Sequence, residues 1–210
     1  DLPGMPRRRG MTARRWIDGR LGRIIAEARE RPPEADLVAA MVHGADEEGR
    51  GLDEQELLDN LRLLVFAGHE TTASIMAWMT LELAKHPWYW QRAVDEALAA
   101  DGPPTTAEEL ARFPFMESVF REALRLHPPA PIDGRDVVDE IELFGVRIPA
   151  GVNVGCCLYT LSRDPERYPE PDRFNPDRWA ALGRKAGALE TAQFGGGPHF
   201  CLGYHLAVLE

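Results

Sequence analysis

Apolar residues recur at helical spacing over several stretches of this chain, and each stretch closes at a proline, a glycine or a polar loop. Within Met11 to Arg31, the residues Ile17, Leu21, Ile24, Ile25 and Ala28 mark one helix face, arginines fall mainly on the other, and Pro32-Pro33 ends the run. A shorter helical pattern, Leu37 to Val42, gives way to a polar, glycine-punctuated loop from Gly44 to Gly51. Asp53 followed three residues later by Glu56 resembles a capping box, and it opens an apolar pattern that runs from Leu57 to Leu83. Some thirty helical residues span about 45 Å, enough to cross a whole domain. The stretch Ile75 to Leu83 is apolar nearly all round, which predicts burial on several sides.

Pro87 suits the first turn of a further helix, Trp88 to Ala100, and Thr106-Ala-Glu-Glu109 looks like another capped helix start. A mostly apolar helix over Met116 to Leu126 is stopped by His127-Pro-Pro. The pattern then changes: Asp136 to Val138, Ile141 to Leu143, Val146 to Ile148 and Val152 to Val154 alternate or carry β-branched residues and predict a small sheet. From Asp164 to Trp179 proline, aspartate and arginine dominate, which predicts a surface meander, and a last helical pattern covers Tyr204 to Glu210.

Composition narrows the classes. The 210 residues carry 24 Lys and Arg against 34 Asp and Glu, a net charge of −10, which excludes a generally basic nucleic-acid binder. The charge is segregated: residues 1 to 31 hold nine arginines and four acidic residues, a local +5 that leaves −15 for the remainder. That helix face is either simply solvated or meets an acidic partner. Three cysteines, two of them adjacent at Cys156 and Cys157, do not make the disulfide framework of a secreted domain, so a reducing compartment is expected. The longest apolar stretch, Leu63 to Ala67, falls far short of the roughly 18 residues of a membrane span. Arginine outnumbers lysine 22 to 2 and alanine is abundant, which points to a high-GC bacterial genome and a cytoplasmic protein. The chain opens on Asp1 and ends inside a helical pattern, so it reads as a fragment, and an anchor upstream of Asp1 stays open.

The chemistry concentrates in Phe194-Gly-Gly-Gly-Pro-His-Phe-Cys-Leu-Gly203, which runs into the last helical pattern. Glycines let the backbone approach a flat ligand closely, because no Cβ intervenes. A cysteine just before a helix start meets unpaired amide groups and the positive end of the helix dipole, both of which favour thiolate. Such a thiolate suits a soft metal centre. Taken alone, one cysteine in a glycine loop is more often a small buried hydrophobe than a ligand. A cysteine hydrolase using Cys201 with His199 or His205 is a poor fit, since no orienting acid is evident.

Three more segments carry weight together. Ala67-Gly-His-Glu-Thr-Thr72 sits mid-helix, where Gly68 leaves room and a threonine hydroxyl can disturb the hydrogen-bond ladder; Glu70 and Thr71 beside such a widening suit proton delivery, or are ordinary polar residues on an exposed turn. Glu122 and Arg125 share a helix face at i, i+3 and can pair; exposed pairs of this kind are common, but the mostly apolar neighbours of this one point to burial. Phe174-Asn-Pro-Asp-Arg-Trp179 closes the meander.

These four segments, in this order, resemble the cytochrome P-450 family. The cysteine-ligand pattern Phe-x-x-Gly-x-Arg/His-x-Cys-x-Gly is met by Phe194, Gly197, His199, Cys201 and Gly203. The resemblance implies a mainly α (α+β) fold of which this chain, residues 1–210, is a partial domain: the C-terminal half, without the N-terminal half and the final strands. It implies that Cys201 is the axial ligand of haem b, with Phe194, Gly195, Gly197 and Gly203 shaping its loop and His199 facing a propionate. It implies that Arg135, in Asp133-Gly-Arg-Asp136, meets a propionate, that Ala67, Gly68, Glu70 and Thr71 form the oxygen-activating segment, and that Arg178 joins Glu122 and Arg125 in a buried network. The activity implied is monooxygenation: one oxygen atom from O2 enters an apolar substrate, with electrons from NAD(P)H through a ferredoxin or flavin reductase. Asp177 stands where the family commonly has Glu, and Ser162 where many members have His. With the N-terminal half missing, an exposed apolar face is expected on the helix from Leu57 to Leu83. The alternative is a partial gene product, or a haem-binding or interaction remnant, without catalysis of its own.

Overall fold

The computed structural model describes residues 6–106, 108–181 and 192–210. The chain divides into two compact units, Asp1–His69 and Glu70–Glu210.

In the first unit, α1 (Pro6–Arg29) begins well before the expected start, with Pro6 at its N-terminus, and buries Leu21, Ile25 and Ala28. Ile17 and Ile24 lie exposed, so the apolar face is narrower than the sequence pattern. Asp36 caps α2 (Leu37–His43) by accepting the Ala39 N–H at 2.9 Å, and this bond, with Arg31 nearby, holds its carboxyl below the usual range. The Asp53 capping box forms as read: Asp53 N–H donates to Glu56 Oε2 at 2.9 Å, and Glu56 N–H to Asp53 Oδ1 at 2.8 Å. It starts α3 (Glu54–Lys85), whose first turns press Leu57 and Leu61 against Leu21 and Ile25.

The second unit holds the remainder of α3, then α4 (Pro87–Ala99), a 3₁₀ turn at Glu109–Arg112, and α5 (Pro114–Leu126). The helix expected from Thr106 stops as that single turn, because Pro114 lies too close to let it continue. Glu96 of α4 accepts the Phe115 and Met116 N–H groups of α5 at 2.8 Å each, so a carboxylate satisfies two open donors at the positive end of the helix. Ile75, Leu83, Ala93, Val119, Ala123, Leu124, Leu126 and Phe174 form the core.

Strands β1 (Ile132–Asp136), β2 (Ile141–Leu143), β3 (Val146–Ile148) and β4 (Asn153–Cys157) make two separate antiparallel pairs, β1 with β4 and β2 with β3, rather than one sheet. The outer strands are displaced from their expected positions: β1 begins at Ile132, and Gly134 lies opposite Gly155 in its pairing with β4, a register that hydrophobic pattern does not report. A short α6 (Leu158–Leu161) follows, and α7 (Asp177–Ala180) closes the meander, which is anchored by buried Tyr168, Phe174 and Trp179 instead of lying wholly on the surface. A 3₁₀ turn at Gly197–His199 and α8 (Tyr204–Leu209) complete the chain.

Candidate functional site

Glu122 and Arg125, both completely buried on α5, are the electrostatic centre of the second unit. Arg125 Nε and Nη2 donate to the two Glu122 carboxylate oxygens at 2.9 and 2.8 Å. The rest of the guanidinium is satisfied by main-chain carbonyls: Nη1 donates to Ser162 and Pro171 at 2.8 and 2.6 Å, and Nη2 to Arg173 at 3.2 Å. Glu122 also accepts Arg178 Nε at 3.0 Å, the Asn175 N–H at 2.9 Å and the Trp179 indole N–H at 3.0 Å. Every donor and lone-pair direction is therefore used, the condition under which a buried ion pair is tolerable. The expected triad of Glu122, Arg125 and Arg178 is present, and Trp179 and the Asn175 amide join it. Its effect is to fasten the meander onto α5.

The cysteine loop is tied to the same helix by rings. Phe194 lies 6.3 Å from Phe120 of α5 and stands edge-on to Tyr204 at 4.8 Å, and Phe200 lies 5.4 Å from Tyr204. The Cys201 N–H donates to the Phe194 carbonyl at 2.8 Å, which closes the loop on itself. Gly195 and Gly197 have φ of +70° and +59°, and a Cβ on Gly195 would stand 2.9 Å from the His199 carbonyl oxygen. Gly195 is thus required by the turn, while Gly197 favours it through its positive φ. Cys201 and His199 both lie exposed on this loop, and Gly203 caps α8.

The remaining candidates are placed differently. The helix α3 runs as unbroken α-helix through Ala67 and Thr71, so the expected widening is not in this backbone. A Cβ on Gly68 would meet nothing within 4 Å, which leaves the room expected there, and Glu70 and Thr71 are exposed. The boundary between the units falls between His69 and Glu70. Arg135 pairs with Asp133 on its own strand at 2.5 Å and donates to the Gly134 carbonyl, both through Nη1, so a second carboxylate can be met by the other nitrogens of the guanidinium. Of the second half of α3, Ile75, Glu82 and Leu83 are buried while Met76, Trp78 and Leu81 are exposed, so it is buried along one side and not on several. An apolar cavity of about 600 Å³, lined by Ile75, Met76, Met79, Met116 and Phe120 among others, has Thr72 on its wall but not Cys201, His199 or Arg135; it is not the place expected for haem.

The cysteine loop fits haem on the chemistry of its donors. Among the described residues no cluster of three or more His, Cys, Asp or Glu side chains can enclose a metal ion. One exposed thiol beside glycines supplies a single soft ligand, which suits an iron that arrives with its four equatorial nitrogens already in place.

Together these features define a class: a mainly helical protein that presents one thiol on a glycine-walled loop, braced by a buried glutamate–arginine network. The cytochrome P-450 family model matches residues 3–210, and the chain belongs to that family. It is 41% identical over its whole length to cytochrome P-450 BJ-4 of Bradyrhizobium diazoefficiens, covering 47% of that protein, and 36% identical to putative cytochrome P-450 139 of Mycobacterium tuberculosis, with 97% of this chain and 48% of the relative covered. Among solved structures, retinoic acid-bound cyanobacterial CYP120A1 superposes with a TM-score of 0.83 at 30% identity, over 98% of this chain and 48% of that one. The open form of EryK from S. erythraea gives 0.74 at 31% identity, over 100% and 48%. The chain thus spans about half the length of the relatives it matches. No helix among the described residues is long and apolar enough to cross a membrane.

Proposed function

We propose that this chain carries the cysteine-ligand part of a haem-dependent monooxygenase, which inserts one oxygen atom from O2 into an apolar organic substrate by hydroxylation or epoxidation. The observation that carries the reading is Cys201, exposed on a loop whose turn only glycine can make. Haem b, when bound, supplies the O2-binding iron and the redox chemistry. Cys201 holds that iron as thiolate, and Phe194, Gly195, Gly197 and Gly203 keep the loop in the conformation that presents it. His199 and Arg135 hold the propionates, Arg135 through the guanidinium nitrogens that Asp133 does not engage. Ala67 and Gly68 leave space on α3 for a small ligand, and Glu70 and Thr71 hold and pass protons there. Glu122, Arg125 and Arg178 keep the meander and loop in place. Electrons come from NAD(P)H through a ferredoxin or flavin reductase. A cytoplasmic location accords with the bacterial relatives.

The second reading, a haem-binding or interaction remnant without turnover, draws on the exposed apolar side chains of α3. Turnover reconstituted with a redox partner separates the two. The first experiment is the difference spectrum of the dithionite-reduced, CO-treated chain supplied with haem, beside Cys201→Ala. A strongly red-shifted Soret band, lost in the variant, is expected; a band that persists in the variant overturns the role of Cys201.

A further inference from the structure

A polar route joins the buried network to the cysteine loop, separate from the ring contacts, and it runs through Ser162. This serine ends α6 and is 3% exposed. Its main chain is held on both sides: the N–H donates to the Leu158 carbonyl at 3.0 Å, and the carbonyl accepts Arg125 Nη1 at 2.8 Å. Its hydroxyl oxygen accepts Gln193 Nε2 at 2.5 Å, from a side chain 31 residues away in sequence. The Ser162 backbone thus belongs to the network, and its side chain to the loop.

Gln193 directly precedes Phe194, the residue on which the loop closes. The Phe194 carbonyl accepts the Cys201 N–H at 2.8 Å, and the Gly195 N–H donates to the Ala192 carbonyl at 3.1 Å, so Gln193 and Phe194 occupy the two middle places of a tight turn. The Phe194 ring lies against Phe120 and Tyr204. Ring contacts fix distance more than direction, whereas a hydrogen bond fixes both. Among the described residues Gln193 Oε1 is buried and has no partner, so this amide is held at its nitrogen alone and its orientation depends on Ser162.

We propose that Gln193, held by Ser162, is a positioning residue for Cys201: their bond fastens the turn carrying the Phe194 carbonyl, on which the Cys201 N–H rests, to the carbonyl that Arg125 binds. The consequence for haem rests on the reading of Cys201 as ligand given above, but the link itself does not.

The test compares the full chain with its Ser162→Ala, Gln193→Met and double variants. Ser162→Ala leaves the carbonyl that Arg125 uses, and methionine keeps the length of glutamine without its donor. By amide hydrogen exchange without haem, the Cys201 N–H should exchange roughly two- to tenfold faster in each single variant, the worth of one hydrogen bond. It should exchange no faster in the double variant, because both substitutions remove the same bond. The α5 amides should be unchanged. Equal acceleration in α5 would mean a general loss of stability, additive effects that the two side chains act separately, and unchanged Cys201 exchange that the rings alone hold the loop; each overturns the proposal. With haem supplied and compared at equal haem content, a larger share of the CO band should stay unshifted in the variants. A merely structural role would lower the haem content and leave that share as it was, which also overturns the proposal. If the unsubstituted chain gives no red-shifted band, the reading of Cys201 as ligand fails, and the exchange measurements still decide the link.

Discussion

Glu122 and Arg125 show what a spacing of three residues can and cannot say. It put both side chains on one helix face, and the apolar neighbours pointed to burial. The partners that make burial tolerable are the carbonyls of Ser162, Pro171 and Arg173, 37, 46 and 48 residues away in sequence, and no local pattern identifies them. Trp179 was visible only as the end of the meander segment; its indole bond to Glu122 depends on where the meander folds back. Substitution of Glu122 by Gln leaves the Arg125 charge buried without its counter-ion and is expected to cost about 3–5 kcal/mol. Trp179→Phe keeps an aromatic ring but shrinks it and loses one hydrogen bond to a charged group, which by itself is about 1.5–3 kcal/mol. Urea denaturation of the two variants checks both values, and equal small losses would mean that the network is not the anchor of the meander.

At the scale of elements, helical periodicity worked where one face is apolar and the start is marked, by the Asp36 cap for α2 and by a proline in the first turn for α4 and α5. It did not give the strands their register, because β1 is Ile-Asp-Gly-Arg-Asp and its pairing with β4 is a contact between distant backbones. The cysteine loop was legible as composition, and the structure adds which of its glycines are obligatory. Gly195 combines φ of +70° with a 2.9 Å approach to the His199 carbonyl oxygen, whereas Gly68 has open space around it. Gly195→Ala is therefore expected to abolish the red-shifted CO band. Retention of the band in Gly195→Ala would mean that the loop can adopt another turn.

Over the whole molecule, the expected exposed apolar face on α3 is present: Leu63, Val65 and Phe66 are 61%, 57% and 71% accessible to solvent. Surface of this kind binds hydrophobic dyes. Replacing Phe66 by Lys should lower dye binding while stability changes by no more than about 0.5 kcal/mol, because the ring touches little. Unchanged dye binding would place the accessible apolar surface elsewhere. The sequence by itself determined the long helices, the family and the glycine loop that carries Cys201, since helical period and glycine-cysteine spacing are properties of neighbouring residues. Only the tertiary structure decided that β1 and β4 form a pair apart from β2 and β3, that Arg135 is engaged by Asp133, and that Gln193 reaches Ser162. Each of these is a contact between residues or backbones brought together by folding, and its energy depends on burial and direction that local sequence does not encode.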